Sequence, residues 1–378
     1  MVKYLAKTAC PEKKGRRGRM DTVVVIPAYK PDMRLAELAK KLCGKYYILI
    51  VDDGSGTKFD KVFTESSKYA TVLRYPVNRG KGGALKYAFS NISKLCPGAE
   101  FVVTADADGQ HTPEDIEKVS NGLREKGGLV LGSRRFTGKV PARSKFGNSV
   151  TRAVFTLASG ARVYDTQTGL RGFSTEYLPP FSALEGDRYE YEMTMLMYAA
   201  EKKIPITEVT IETIYENGNE TSHFNAVKDS FRIYHIIYKC SHILKFMTSS
   251  LAAFLVNYVL VLILYHIVLT PDVVGELSME ISTLVAWPFS SYFNFILNRK
   301  WVFRSEVPFG KSLAEYYGLA VISFVMKSYV FLEILKRLLG IPLAIAMPIS
   351  ELAMYIVNYF VQKKFVFASE KKKRTSDK

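Results

Sequence analysis

Asp106 and Asp108 stand one residue apart at the end of the apolar run 101–105, and Gln110 follows two positions on. Strand side chains alternate between faces, so the two carboxylates share a face wherever the extended run continues through them. Two carboxylates and an amide make a hard, oxygen-rich donor set. Such a set suits Mg²⁺ or Mn²⁺, shared with the phosphates of a substrate. A bland reading competes: an acidic turn that only caps a helix. Thr112, Pro113, Glu114 and Asp115 do form such a start, with Thr112 as N-cap, Pro113 at the first helical position and acids in the first turn.

The elements that must position these groups decide between the two. The run 22–27 is β-branched and stopped by Pro27, with Tyr29 just after it. The run 46–51 ends at Asp52 and Asp53. Runs at 71–74 and 129–132 are also strand-like, and the latter leads into Ser133, Arg134 and Arg135. Helical stretches lie between them at 34–42, at 59–69, from the glycine loop 80–83 through 92, and from Pro113 onward. This alternation predicts an α/β domain with a mostly parallel sheet covered on both faces. Ligands of such sheets sit at the carboxyl ends of the strands, where all these polar residues fall. The constellation reads as a nucleotide-sugar site. Asp53 is placed to accept hydrogen bonds from a base or ribose, and Tyr29 to pack against the base. A cation at Asp106 and Asp108 would bridge the diphosphate and neutralise it as it leaves. Pro27 and Lys81 belong to the same donor side. The glycines around Lys81 could let backbone amides approach phosphate, although a plain strand-to-helix turn is the better explanation of them.

Six motifs in order, VVVIPAY, VDDGS, NRGKGGAL, DADGQH, LGSR and DTQTGLRGF, resemble family 2 glycosyltransferases of the GT-A fold. Within that family they resemble the polyprenyl-phosphate branch, which includes dolichol-phosphate mannosyltransferases and bacterial undecaprenyl-phosphate sugar transferases. The resemblance covers about residues 20–240. It implies a Rossmann-like GT-A domain and a metal held by Asp106, Asp108 and Gln110. It also implies that Arg134 and Arg143 contact the acceptor's phosphate while the basic loop 138–145 closes over the site. Guanidinium forks onto phosphate, and a closing loop excludes water. The family often has Asn-Glu after Pro-Ala-Tyr; here Lys30, Pro31 and Asp32 follow, and Asp32 stands in for the acidic group. Relatives with hydroxyl acceptors keep a general base in the half of the domain that holds Asp165. A lipid phosphate is already ionised, its second pKa near ~6, and needs orientation more than proton removal. Asp165 and Gln167 therefore read as positioning residues, with Arg171 and Ser222 as further acceptor-side contacts; a structural turn is the alternative.

Beyond about residue 245 the chain is dominated by long apolar runs. The basic amphipathic stretch 228–245 predicts a helix lying in a membrane interface, or else an ordinary packed helix. Four spans follow, at 246–269, 277–297, 313–335 and 342–361, each near the ~20 residues a crossing needs. Lys327 is costly in lipid and should face the bundle, meet a polar cavity or snorkel. The segment 270–280 lacks Lys and Arg, whereas 299–311 and the C-terminal flank are basic. Both termini and the first domain are therefore expected on the cytosolic side. Residues 294–303 (NFILNRKWVF) repeat at 358–367 (NYFVQKKFVF), so each unit is a pair of spans. This resembles a GtrA-like domain, a four-span family found with polyprenyl-sugar transferases. Anchoring with acceptor presentation, and lipid translocation, both stay open.

The 378 residues carry a net charge of +16, and a mean hydropathy of +0.02 averages two unlike halves. The expected plan is a basic tail 1–20, a GT-A domain 21–227, an interfacial helix 228–245, a four-span domain 246–367 and a basic tail 368–378. The charge calls for an anionic partner; basic runs beside spans favour anionic lipid, and nucleic acid explains the charge but not the spans. Cys10, Cys43, Cys96 and Cys240 show neither metal spacing nor a disulfide framework, which fits a reducing cytosolic face. The N-terminus has no apolar segment of a secretory signal. The expectation is an inverting, metal-dependent transferase of the bacterial plasma membrane. It would move a sugar from a UDP- or GDP-hexose to a polyprenyl phosphate. Homo-oligomerisation stays open, and so does the alternative of a lipid-sugar translocator whose first domain binds donor without turnover.

Overall fold

The computed structural model describes residues 3–5, 21–134, 142–212, 226–331 and 333–368. Two compact units divide the chain, Met1–Cys240 and Ser241–Lys378.

The first unit runs β1 (Lys3–Leu5), β2 (Thr22–Ala28), α1 (Arg34–Leu42), β3 (Tyr47–Asp53), α2 (Asp60–Ser66), β4 (Thr71–Tyr75), α3 (Lys81–Leu95), β5 (Phe101–Thr104), α4 (Pro113–Lys126), β6 (Leu129–Arg134), α5 (Ala142–Ser159), β7 (Arg171–Ser174), α6 (Leu178–Ser182), α7 (Glu190–Glu201), β8 (Ile206–Ile211) and α8 (Ala226–Cys240). One sheet forms in the order β1-β4-β3-β2-β5-β7-β6-β8. The β4-β3-β2-β5 block and the β6–β8 pair are parallel; β7 is antiparallel to both its neighbours, and β1 to β4. Val23, Val24, Val25 and Ile26 are fully buried, as continuous apolar strands covered on both faces must be. Thr112 caps α4 as expected, its Oγ1 accepting from the Asp115 amide at 3.1 Å with Pro113 next in line.

The sequence reading differs from the structure in several places. β7 is not legible in the sequence, because a four-residue strand opening on Arg and Gly has no periodicity to read. The last strand spans Ile206–Ile211, and 213–225 lie outside the described residues. The helix expected to lie on the membrane as 228–245 ends at Cys240 and clusters with the first unit. Its Ile233, Ile236 and Ile237 are buried, and the Tyr234 hydroxyl lies 3.2 Å from Thr151 Oγ1, while Val227 and Phe231 stay exposed. Cys96 and Cys240 are free thiols, but Cys43 is disulfide-bonded, a pairing that spacing alone does not encode.

The second unit holds α9 (His242–Ile263), α10 (Pro271–Val274), α11 (Ser278–Leu297), α12 (Phe309–Val325) and α13 (Leu343–Val361). The four long helices each continue into a wider, π-type turn. His242–Val268 and Leu343–Val366 are long and apolar enough by themselves to cross a bilayer, with mean hydropathies of 2.3 and 1.4. Leu251, Phe254, Leu255, Leu352 and Phe360 are exposed, an apolar surface of the kind lipid covers. Lys327 meets Glu351 of α13 at 2.7 Å, so the costly lysine of the third expected span has a carboxylate partner.

Candidate functional site

Strand order reverses at β2, with β3 on one side and β5 on the other. In an open α/β sheet the crevice beyond the carboxyl ends of such strands is where a ligand fits. A cavity of about 250 Å³ lies there. Pro27, Tyr29 and Asp32 line it from the end of β2, Asp53 from β3, and Asp106 and Asp108 from β5. Lys81, at the start of α3, is also in the wall. The donor-side residues expected from sequence therefore converge on one pocket.

Asp106 sits in a charged cluster. Lys81 Nζ is 2.6 Å from Asp106 and 2.7 Å from Glu192 of α7, and His111 Nε2 is 3.3 Å from Asp106. Burial works against the Asp106 charge, but Lys81 and His111 outweigh it and hold the carboxyl well below the usual carboxylate range. Burial likewise opposes the Lys81 charge, and Asp106 and Glu192 more than restore it, so the ammonium is held above its ordinary value. Asp108 goes the other way: burial, then the charge of Asp106, raise its carboxyl. A cation between the two carboxylates would relieve that repulsion. Gln110 donates its backbone N–H to Asp108 Oδ1 at 3.0 Å, but its side chain is not among those lining the cavity. Gly169 makes the cluster sterically possible, since a Cβ there would sit 2.5 Å from Asp106 Oδ2 and 2.6 Å from Lys81 Nζ.

Asp53 departs from its expected role. Oδ1 accepts from the Tyr75 hydroxyl and the Arg79 amide, both at 2.7 Å, and Oδ2 from Asn78 Nδ2 and the Gly80 amide, both at 2.9 Å. Four donors fill the lone-pair sites of a carboxylate. Asp53 thus fastens the glycine loop to β3 instead of offering itself to a base or ribose. Arg34 donates from Nε to Asp32 Oδ1 at 3.0 Å and from Nη2 to Oδ2 at 2.7 Å, a bidentate pair among the pocket's lining residues.

The acceptor-side residues form a second cluster, and among the described residues Arg134, Asp165, Gln167 and Arg171 do not line the cavity. Arg134 donates from Nε and Nη2 to fully buried Asp165 at 2.6 and 3.1 Å. Asp165 also accepts from the Gln167 amide at 3.1 Å. It therefore orients Arg134 and the turn. Gln167 itself is exposed. Arg171 is the clear correction: it is 1 % exposed and spends its guanidinium on the carbonyls of Thr168 and Glu192, which leaves it no face for a substrate. Ser222 and the side chain of Arg143 lie outside the described residues.

Glu192 and His111 were missed as site residues. A glutamate set between the apolar Tyr191 and Met193 is the signal that was available. Arg188 and Tyr189, just before α7, also line the pocket; nothing in their local sequence marks them.

Residues 23–175 match the family model for glycosyl transferase family 2, and residues 245–367 that for the GtrA/DPMS transmembrane domain. The chain is similar to the uncharacterized protein MJ1222 of Methanocaldococcus jannaschii, at 34% identity over 54% of this chain and 86% of that one. It is similar to the UDP-N-acetylglucosamine–dolichyl-phosphate N-acetylglucosaminyltransferase of Methanococcus voltae, at 33% identity over 51% and 85%. Human dolichyl-phosphate beta-glucosyltransferase is 28% identical over 53% of this chain and 69% of its own length.

Proposed function

This chain belongs to glycosyl transferase family 2, and we propose that it transfers a hexose from a nucleotide sugar to a polyprenyl phosphate at the cytosolic face of a membrane, with inversion at the anomeric carbon. The carrying observation is the pair Asp106 and Asp108, opening with Lys81 beside them on the pocket at the reversal of strand order. The names of the Methanococcus and human relatives support a polyprenyl-type phosphate acceptor, and they differ in the sugar.

The donor set fits a hard divalent ion, Mg²⁺ or Mn²⁺, which Asp106 and Asp108 would hold. Bound there, such an ion neutralises charge on the departing nucleoside diphosphate. Gln110 steadies Asp108 through its backbone. Pro27, Tyr29 and Asp32 form the base end of the pocket. Lys81 keeps Asp106 ionised and in place. The acceptor's phosphate oxygen attacks the anomeric carbon as the bond to the diphosphate breaks on the opposite side. That oxygen is already anionic, so no base is required. This agrees with Asp165 being buried and committed to Arg134, which meets the acceptor phosphate together with Arg143 of the loop 138–145. α9, α11, α12 and α13 each cross the bilayer and anchor the chain in the membrane that carries the acceptor.

Full-length protein in nanodiscs with undecaprenyl phosphate tests this, using a panel of labelled UDP- and GDP-sugars. Metal-dependent label in the organic phase supports the reaction and names the donor. Label appearing equally with added EDTA, or transfer to water in place of lipid, overturns it.

A further inference from the structure

The two copies of the internal repeat meet each other in the folded second unit. Phe303 stacks on Phe367 with centroids 5.2 Å apart and 19° between planes, and Asn298 Nδ2 donates to Gln362 Oε1 at 3.1 Å. In both contacts the partners are the same repeat position, since 303 and 367, like 298 and 362, differ by the repeat's offset. Phe295–Phe367 and Tyr359–Phe303 are exchanged counterparts, at 5.9 and 6.2 Å with planes 37° and 36° apart. Each copy ends in the same π-type turn, closed by Phe303 N–H to Asn298 O and by Phe367 N–H to Gln362 O, both 2.9 Å. Contacts that map onto themselves define a two-fold axis. Because a repeat is a pair of spans, the copies have the same orientation across the bilayer and the axis follows the membrane normal.

A cavity of about 270 Å³ lies at this meeting of the repeats. The equivalent residues Asn294 and Asn358 both line it, and Phe246 and Tyr316 face it from the two halves. Phe246 packs on Tyr359 at 5.4 Å as Tyr316 packs on Phe295 at 5.3 Å. Gln362, Ser250 and Tyr355 add an amide and two hydroxyls to the wall, and among the described residues none that lines it is charged. The side-chain Oδ1 of Asn294 is buried with no hydrogen-bond partner. A buried acceptor left without a donor is costly, so an unpaired Oδ1 in a cavity wall marks a place for a ligand's donor.

We infer that this cavity binds the neutral, hydroxyl-bearing sugar of a glycosylated lipid. Amides and hydroxyls with aromatic walls pair with sugar hydroxyls and cover the ring's apolar faces. A site with no cation gives a phosphate nothing to neutralise it, so the sugar is the recognised part. The inference rests on the proposed reaction, whose product is such a lipid, but it is tested apart from that reaction.

Trp287 and Trp301 are the chain's two tryptophans, both in the second unit, and Trp301 packs on the cluster that includes Phe246. Full-length protein in phosphatidylcholine nanodiscs is titrated with farnesyl β-glucoside and, separately, with farnesyl phosphate, reading tryptophan fluorescence. The glucoside should saturate at least tenfold more tightly than the phosphate. The double variant Asn294→Leu, Asn358→Leu should weaken the glucoside at least tenfold while sugar transfer stays within twofold. No saturable response to the glucoside, equal response to both lipids, or unchanged binding in a variant that still transfers sugar overturns the site. Should that variant not fold, the comparison of the two lipids on unaltered protein decides. Glucoside binding in a protein that transfers no sugar would sink the reaction and leave the site standing.

Discussion

Lys81→Met tests the charged cluster behind the pocket. Lys81, Asp106 and Glu192 have side chains 15, 29 and 8% exposed, so all three charges are largely out of water. Removing the ammonium strands two carboxylates. Breaking a buried pair from one side costs ~3–5 kcal/mol; the partial exposure of Asp106 places the expected loss near the lower figure, about 3 kcal/mol. For a unit of this size each kcal/mol moves the melting temperature by ~2–4 °C, so the shift should be about 6–12 °C. Glu192→Gln in the same chain removes the worse of the stranded charges and should return at least ~1 kcal/mol, a coupling that a double-mutant cycle resolves. The assay is the thermal melt of the full chain in detergent by circular dichroism, for wild type, both singles and the double. A loss below 1 kcal/mol in Lys81→Met, or a double variant equal to the sum of the singles, would refute the clamp.

Three further outcomes follow from the geometry. Gly169→Ala drives a methyl into Asp106 and Lys81; a displaced ligand of this kind costs on the order of 100-fold in kcat, read in the labelled-lipid assay, with the melt shifted far less than in Lys81→Met. Arg134→Ala should raise KM for the lipid phosphate tenfold or more with donor KM within threefold, while Asp165→Asn should give a milder version of the same split; a donor-side defect would move Arg134 to the diphosphate. Burial opposes the charge of Asp21, but Arg124 and Thr22 outweigh it, so its folded carboxyl lies below its ordinary value. The stability this pair contributes, under ~1 kcal/mol, is present near neutrality and lost as pH falls through the folded value. The melting difference between wild type and Asp21→Asn should therefore shrink from about pH 4 downward.

Much of the first domain was legible because its strands are continuous apolar runs that end in polar residues. Asp106, Asp108 and Tyr29 all project from such ends, and the sheet's order brings them together. Their individual duties were less legible. Asp53 and Arg171 look like any strand-end polar residues in sequence. Only the packing reveals that one is saturated by the glycine loop and the other buried on carbonyls. Glu192 lies more than a hundred residues from Lys81, so no local pattern could have paired them. The basic helix before the membrane unit shows the same limit. Its amphipathic pattern is real, but periodicity does not say whether Ile233 and Ile237 meet lipid or protein. The repeat was visible as letters; that its two copies touch through equivalent residues was not.

The most direct test of the central claim is single-turnover transfer of sugar to polyprenyl phosphate by wild type, Asp108→Asn and Asp106→Asn, across a titration of Mn²⁺ in nanodiscs. The account predicts that wild type needs the metal and saturates with it. It also predicts that each variant loses at least 100-fold in rate while its melting temperature stays at or above wild type's for Asp108→Asn, where a repelled charge is removed. Full-rate transfer by Asp108→Asn, or a wild-type rate indifferent to metal, would contradict it.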